Sequence, residues 1–160
     1  MIHEILVIED EENLIHNLKK QFKGDSDTSF KVSHTSKINE YLLDIPSLII
    51  INEDKISNDS LLDICKIIRD NEDNSITPIM VLTSDTTIEH ERSILKNEIE
   101  FYLVNPIDDE CLFYTIQNIL RLLDRNRGIS PLTKLPRKYT NPIRIKKAFI
   151  KKKRIRSFIF

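Results

Sequence analysis

Four short apolar runs, each closed by polar side chains, constrain the fold of this chain more than any other feature of its sequence. Isoleucine and valine dominate the runs at 5–8, 48–51 and 79–82, and a fourth run covers 101–104. Continuous apolar stretches of this length suit strands of a parallel sheet that is covered on both faces. A weaker strand is expected from Phe30 to Val32, where polar neighbours fit an edge position.

Segments with helical spacing separate these runs. The clearest extends from Asp108 to about Asn126, where apolar residues recur on one stripe and Asp108 is a suitable N-cap. The other helices are expected near 12–22, 36–44, 60–71 and 87–96. Strands that alternate with helices predict an α/β fold with a doubly wound, five-stranded parallel sheet in the flavodoxin-like order 2-1-3-4-5.

Polar side chains follow the strands of this predicted sheet. Glu9 and Asp10 follow the first run, Asn52 ends the second, Thr83 ends the third and Asn105 ends the fourth. Ligands of doubly wound sheets bind at the carboxyl ends of the strands. We therefore expect these side chains to meet at one edge of the sheet and to form the functional site.

Three segments resemble the receiver domain of two-component response regulators. Ile5–Glu11 is similar to the family's first strand with its acidic pair, and Thr77–Thr83 is similar to its fourth strand with a hydroxyl. Tyr102–Pro106 is similar to its fifth strand, which usually ends in a cis peptide before the proline. The resemblance covers roughly residues 2 to 126 and implies the same doubly wound fold.

The resemblance also implies a role for each polar side chain. It places Glu9 and Asp10 at the magnesium-binding acids, Asn52 at the phosphoacceptor aspartate, Asn105 at a lysine, Thr83 at the switch hydroxyl and Tyr102 at the switch aromatic. Because a carboxamide oxygen is neutral and a poor nucleophile, an acyl phosphate cannot form on Asn52. Asn105 lacks the positive charge that would balance a phosphoryl group. The chain is therefore expected to be a degenerate receiver, or pseudo-receiver, that signals without phosphate and is not an enzyme.

Two alternatives stay open for this site. Asp54 lies two residues beyond Asn52 on the same strand phase and is the other candidate phosphoacceptor, although the predicted register places it too far from Glu9 and Asp10. The acidic pair either binds Mg²⁺ weakly, because a third carboxylate is missing, or forms a solvated loop. No cofactor is required under either interpretation.

Charge divides the chain into two parts. Residues 1–128 contain 13 Lys and Arg against 25 Asp and Glu, a net charge of -12, whereas residues 129–160 contain 11 Lys and Arg and no acid. Gly128 stands between the two parts, and glycine commonly ends a helix. We therefore expect a receiver-like domain over 1–128 and a basic extension over 129–160.

The extension carries a second resemblance. Ser130–Lys138 is similar to the DxLTGLxNR segment that opens GGDEF domains, the diguanylate cyclases that make cyclic di-GMP, although Ser130 and Lys134 replace its aspartate and glycine. The resemblance implies that 143–155 forms that family's first helix and that 157–160 begins its first strand. The GGDEF loop is absent from these residues, so we expect a truncated or remnant GGDEF-like domain without cyclase activity.

The basic extension is also compatible with a third function class, which is binding to nucleic acid through phosphate contacts. No helix-turn-helix pattern follows the receiver-like part, so this class is not the preferred one. The receiver resemblance instead implies pairing with a protein partner or a second copy through helix four, strand five and helix five. Charged residues expected on that face are Glu91, Arg92, Lys96, Arg121 and Arg125.

The cysteines and the lengths of the apolar segments indicate the cellular location. Cys65 and Cys111 lie far apart and lack the spacing of a metal site, which indicates two reduced thiols, each in the core face of a helix. No secretory signal and no apolar stretch of bilayer-spanning length is found in the sequence. We therefore expect a cytoplasmic protein.

Overall fold

Parallel pairing of five strands forms the frame of the molecule. The computed structural model describes residues 2–56 and 61–132, with side chains described as far as Asn126. The strands are β1 His3–Ile8, β2 Thr28–Ser33, β3 Leu48–Asn52, β4 Ile79–Thr83 and β5 Phe101–Val104. All neighbours are parallel and the order is β2-β1-β3-β4-β5, which confirms the predicted topology.

The helices connect the strands in the expected alternation. They are α1 Leu14–Gln21, α2 Ile38–Leu42, α3 Leu61–Asp70, α4 Ile88–Lys96 and α5 Asp109–Leu132. Short 3-10 turns cover Thr35–Lys37, Glu53–Lys55 and Glu72–Asn74. The helix expected at 36–44 is shorter because the turn at Thr35–Lys37 occupies its beginning.

The last helix passes the end that was expected near Asn126. α5 continues through Gly128 to Leu132, because glycine inside a helix costs only about 1 kcal/mol relative to alanine and does not stop it. The chain divides into two compact units between Gln117 and Asn118, and the described part of the second unit is the remainder of α5. The domain boundary at Gly128 stays a prediction. The GGDEF-like segment lies outside the described residues apart from its first residues in α5.

The three central strands build the core. Every residue of β3 and β4 is buried, and β1 is buried except for the partly exposed Glu4. These are the continuous apolar runs of the sequence, which confirms that both faces of the sheet are covered. At the β2 edge, Phe22, which directly follows α1, packs its ring 5.1 Å from Phe30 and 4.7 Å from Phe113 at the start of α5. Aromatic packing therefore fixes the positions of both helices.

The two cysteines have different environments. Cys65 is buried in α3, as predicted, and burial raises the pKa of its thiol to about 12. The prediction was wrong for Cys111, which is exposed in the first turn of α5. The apolar stripe of that helix includes Leu112 and Ile116, and Cys111 lies outside it. Within the described part of the chain, every helix is too short or too polar to span a bilayer.

Candidate functional site

The register of the sheet brings the predicted site residues to one edge. Ile8 pairs with Ile51 in the neighbouring strand, so the acids that follow β1 emerge beside the end of β3. Asn52 pairs with Leu82, and Thr83 pairs with Val104. The expectation that the polar strand ends meet is therefore confirmed.

Glu9 and Asn52 form the buried half of the site. Glu9 is 0% exposed, and Asn52 donates through Nδ2 to Glu9 Oε1 at 3.0 Å. The backbone N–H groups of Leu14 and Ile15 donate to Oε1 at 3.3 Å and to Oε2 at 2.9 Å. These two groups belong to the first turn of α1, which has no helical acceptor for them. Glu9 therefore stabilises the start of α1, and Asn52 supplies a further donor to the same carboxylate.

Asp10 accepts hydrogen bonds from the turn that follows β2. Its Oδ1 accepts from the backbone N–H of Thr35 at 3.0 Å and from the Thr35 hydroxyl at 3.3 Å. The His34 ring nitrogen Nδ1 lies 3.6 Å from the same oxygen. The acidic pair that is adjacent in sequence is thus divided between α1 and the turn that follows β2.

The receiver resemblance implies a divalent cation at this acidic pair, and the side chains present do not fit one. Both Glu9 oxygens already accept hydrogen bonds, and Asn52 presents its N–H donor to Glu9 at the position where a cation needs an oxygen ligand. Among residues 2–56 and 61–126, no group of three or more His, Cys, Asp or Glu is arranged to hold a metal ion. The amide thus takes up a carboxylate oxygen that a cation would otherwise use.

Asp54 forms the open half of the site, together with Ser84 and Asn105. Asp54 Oδ1 accepts from the Ser84 backbone N–H at 3.1 Å and from the Ser84 hydroxyl at 3.0 Å. Asn105 donates through Nδ2 to Asp54 Oδ2 at 2.9 Å. From the sequence, Asp54 was expected to lie far from Glu9 and Asp10. Its contacts with Ser84 after β4 and Asn105 after β5 were not predicted.

The two predicted switch residues contact the same loop residue. Thr83 is 1% exposed and its Oγ1 accepts from the backbone N–H of Asp85 at 3.1 Å. The Tyr102 hydroxyl donates to the Asp85 carbonyl at 3.1 Å. Thr83 and Tyr102 therefore hold the loop between β4 and α4 from two sides. The peptide bond between Asn105 and Pro106 is cis, as the resemblance implied.

A contact between the turn that follows β3 and α4 was not predicted from the sequence. His90 Nε2 lies 2.7 Å from Glu53 Oε1, and each side chain is only 20% exposed. His90 belongs to the first turn of α4, whose N-cap Thr87 accepts from the His90 backbone N–H. The acidic turn Glu53–Lys55 directly after Asn52 was the available signal, because polar residues after a strand end lie beside the other strand ends.

Comparisons with known proteins identify the fold. No family model matches the chain, and no curated protein matches its sequence. Among solved structures, it is similar to the chemotaxis response regulator CheY4 of Vibrio cholerae, with 18% identity, a TM-score of 0.62, and coverage of 74% of this chain and 99% of that one.

Two further structures are similar. A two-component response regulator from Clostridium difficile has 22% identity and a TM-score of 0.63, with 74% of this chain and 96% of that chain covered. The Mn²⁺-bound form of the response regulator Rcp1 has 18% identity and a TM-score of 0.60, with 73% and 91% covered. At these identities the likeness shows the fold, and the chain therefore has the fold of receiver domains.

Proposed function

We propose that this chain is a pseudo-receiver, a signalling module that acts through protein contact and is not switched by phosphorylation. The observation that carries the proposal is the buried hydrogen bond from Asn52 to Glu9. Phosphorylation of a receiver needs an ionised carboxylate as nucleophile and a divalent cation beside it. Asn52 is a neutral amide, and its bond occupies the acid that would hold the cation.

Asn105 supports the same proposal. A lysine at this position would balance the charge on an incoming phosphoryl group, whereas Asn105 is neutral and its Nδ2 is bound to Asp54. The phosphoacceptor position and the lysine position of the receiver resemblance thus both hold amides that already donate to carboxylates. The alternative hypothesis is that Asp54, an ionised and partly exposed carboxylate, is itself the phosphoacceptor.

Incubation with acetyl phosphate and Mg²⁺ separates these two hypotheses. We expect the intact mass of the chain to stay unchanged, because Asn52 cannot form an acyl phosphate. An ordinary receiver domain treated in parallel is the positive control for the phosphodonor. A mass increase of one phosphoryl group that disappears in Asp54→Asn would instead establish Asp54 as the acceptor and end the pseudo-receiver proposal.

The contact surface of the proposed module includes the face of α4 and β5. Ile88 and Leu95 of α4 and Val104 of β5 are 58%, 57% and 43% exposed. Glu91, Arg92 and Lys96 are exposed on the same helix, and Arg121 and Arg125 are exposed on α5. Charges of both signs on one helix suit a two-fold contact, in which each copy presents the same patch. We therefore propose a second copy of the chain as the partner.

Sedimentation of the chain over a range of concentrations tests this surface. We expect a monomer–dimer equilibrium in the wild type that Leu95→Asp shifts to the monomer, because an unpaired carboxylate would be buried at the contact. Leu43→Asp is the matched control, since Leu43 is 78% exposed and follows α2. A wild-type chain that is monomeric at all concentrations, or equal effects of both variants, would contradict self-pairing through this face.

We also propose that the module regulates an adjoining GGDEF domain in cyclic di-GMP signalling. This part rests on the resemblance of Ser130–Lys138, which lies mostly beyond the described residues. The competing hypothesis is nucleic-acid binding by the basic extension over 129–160. Salt-dependent binding to duplex DNA that is lost when 129–160 is removed would favour the latter.

A further inference from the structure

Three donors from two other strand ends converge on the Asp54 carboxylate. They are the Ser84 backbone N–H at 3.1 Å, the Ser84 hydroxyl at 3.0 Å and the Asn105 amide at 2.9 Å, and we call them the Asp54 cradle. All three distances are those of well-formed hydrogen bonds. The cradle presents donors alone to one negatively charged group, which is the arrangement that binds an oxyanion. In this chain the anion is supplied by the protein.

The cradle is connected to the loop before α4 by a short chain of hydrogen bonds. Ser84 precedes Asp85, which is held through its backbone by Thr83 and Tyr102. The Asp85 carboxylate accepts from the Thr87 backbone N–H at 3.0 Å and from the Thr87 hydroxyl at 2.8 Å. Thr87 in turn caps α4. The position of Ser84 is therefore transmitted, residue by residue, to the start of α4.

We propose that Asp54 is an internal anion that permanently fills this cradle and thereby holds the β4–α4 loop and the start of α4 in one arrangement. The inference deepens the proposed function, on which it rests, because a module switched by phosphate would need these donors free. An external oxyanion would meet donors that are already bound and the like charge of Asp54 itself. The contact face that begins with α4 is then presented constantly.

The ionisation of Asp54 agrees with this role. Partial burial raises the pKa of the Asp54 carboxyl, but the hydrogen bonds from Asn105 and Ser84 and the charge of Lys55 outweigh it and hold that pKa below its ordinary value. A carboxyl whose pKa is lower in the folded state adds stability at neutral pH that is lost as the pH falls through its folded value. At neutral pH Asp54 therefore carries the charge that the cradle needs.

Amide hydrogen exchange of the full chain, resolved by NMR, tests the proposal. In Asp54→Ala we expect the Ser84 amide to exchange about tenfold faster than in the wild type, because it loses its acceptor. The amide signals of Asp85, Thr87 and His90 should shift with it. Glu40→Gln, which removes an exposed carboxylate from α2, is the control and should change none of these signals.

The outcomes distinguish this inference from the proposed function. If Ser84 exchanges equally fast in both chains and the α4 signals stay in place, the internal-anion role of Asp54 is overturned, while the absence of phosphorylation is unaffected. If acetyl phosphate labels the wild type and not Asp54→Ala, both proposals fail together. Circular dichroism of Asp54→Ala confirms that the variant is folded, which we expect because Asp54 is an exposed residue.

Discussion

Replacing Asn52 by aspartate is expected to lower the free energy of unfolding by about 2–4 kcal/mol at pH 8. The change sets a second carboxylate where the Asn52 amide now lies 3.0 Å from Glu9, at a site where Glu9 has no exposure to solvent. It also removes one of the three donors from which Glu9 accepts hydrogen bonds. An aspartate at position 52 is thus expected to destabilise this chain.

The loss of unfolding free energy in Asn52→Asp is expected to depend on pH. Two carboxylates this close share one proton at low pH, and the shared proton lets one of them donate to the other. The loss of stability in Asn52→Asp should therefore grow as the pH rises from 5 to 8, as measured by urea unfolding in the presence of a chelator. Asn52→Ala, which removes the donor without adding charge, should show a smaller loss that does not depend on pH in this range.

The effect of Mg²⁺ on the unfolding free energy also separates Asn52→Asp from the wild type. Mg²⁺ should restore part of the stability of Asn52→Asp, because the new carboxylate supplies the oxygen ligand that the amide does not present. The wild type should not respond to the same concentration. Equal stability of Asn52→Asp and the wild type at pH 8 without metal would show that position 52 is not paired with Glu9.

Replacing Glu9 by alanine should cost about 3 kcal/mol of unfolding free energy. The change leaves three donors without an acceptor, namely the backbone N–H groups of Leu14 and Ile15 and the Asn52 amide. Because two of these donors begin α1, amide exchange should accelerate first in that helix.

A neighbouring acid is the control for this second prediction. The Glu11 side chain is 61% exposed and has a surface contact with Lys55, so Glu11→Ala should change stability by no more than about 0.5 kcal/mol. Chemical denaturation of both variants measures the difference. Similar losses in Glu9→Ala and Glu11→Ala would mean that Glu9 is not a structural residue of α1.

The architecture could be predicted from the sequence because strands buried on both faces of a parallel sheet consist of continuous apolar residues. The runs at 48–51 and 79–82 contain apolar residues alone and became the fully buried central strands. Their ends then met at one edge, as parallel register requires. The meeting of Asn52, Thr83 and Asn105 near that edge followed from the same rule.

The directions of the site side chains could not be predicted, since spacing along a strand does not specify rotation about side-chain bonds. Glu9 and Asp10 are adjacent in sequence, yet one is bound to the start of α1 and the other to Thr35. Asp54 belongs to a 3-10 turn, where the alternation of a strand no longer applies, and it reaches Ser84 and Asn105 for that reason.

The hydrogen bond between Asn52 and Glu9 also limits which substitutions the chain can accept at position 52. A substitution that placed an aspartate at position 52 would give a less stable protein, because the buried Glu9 carboxylate already accepts from the start of α1 and would face a second negative charge. Selection for stability alone would therefore favour the amide at position 52.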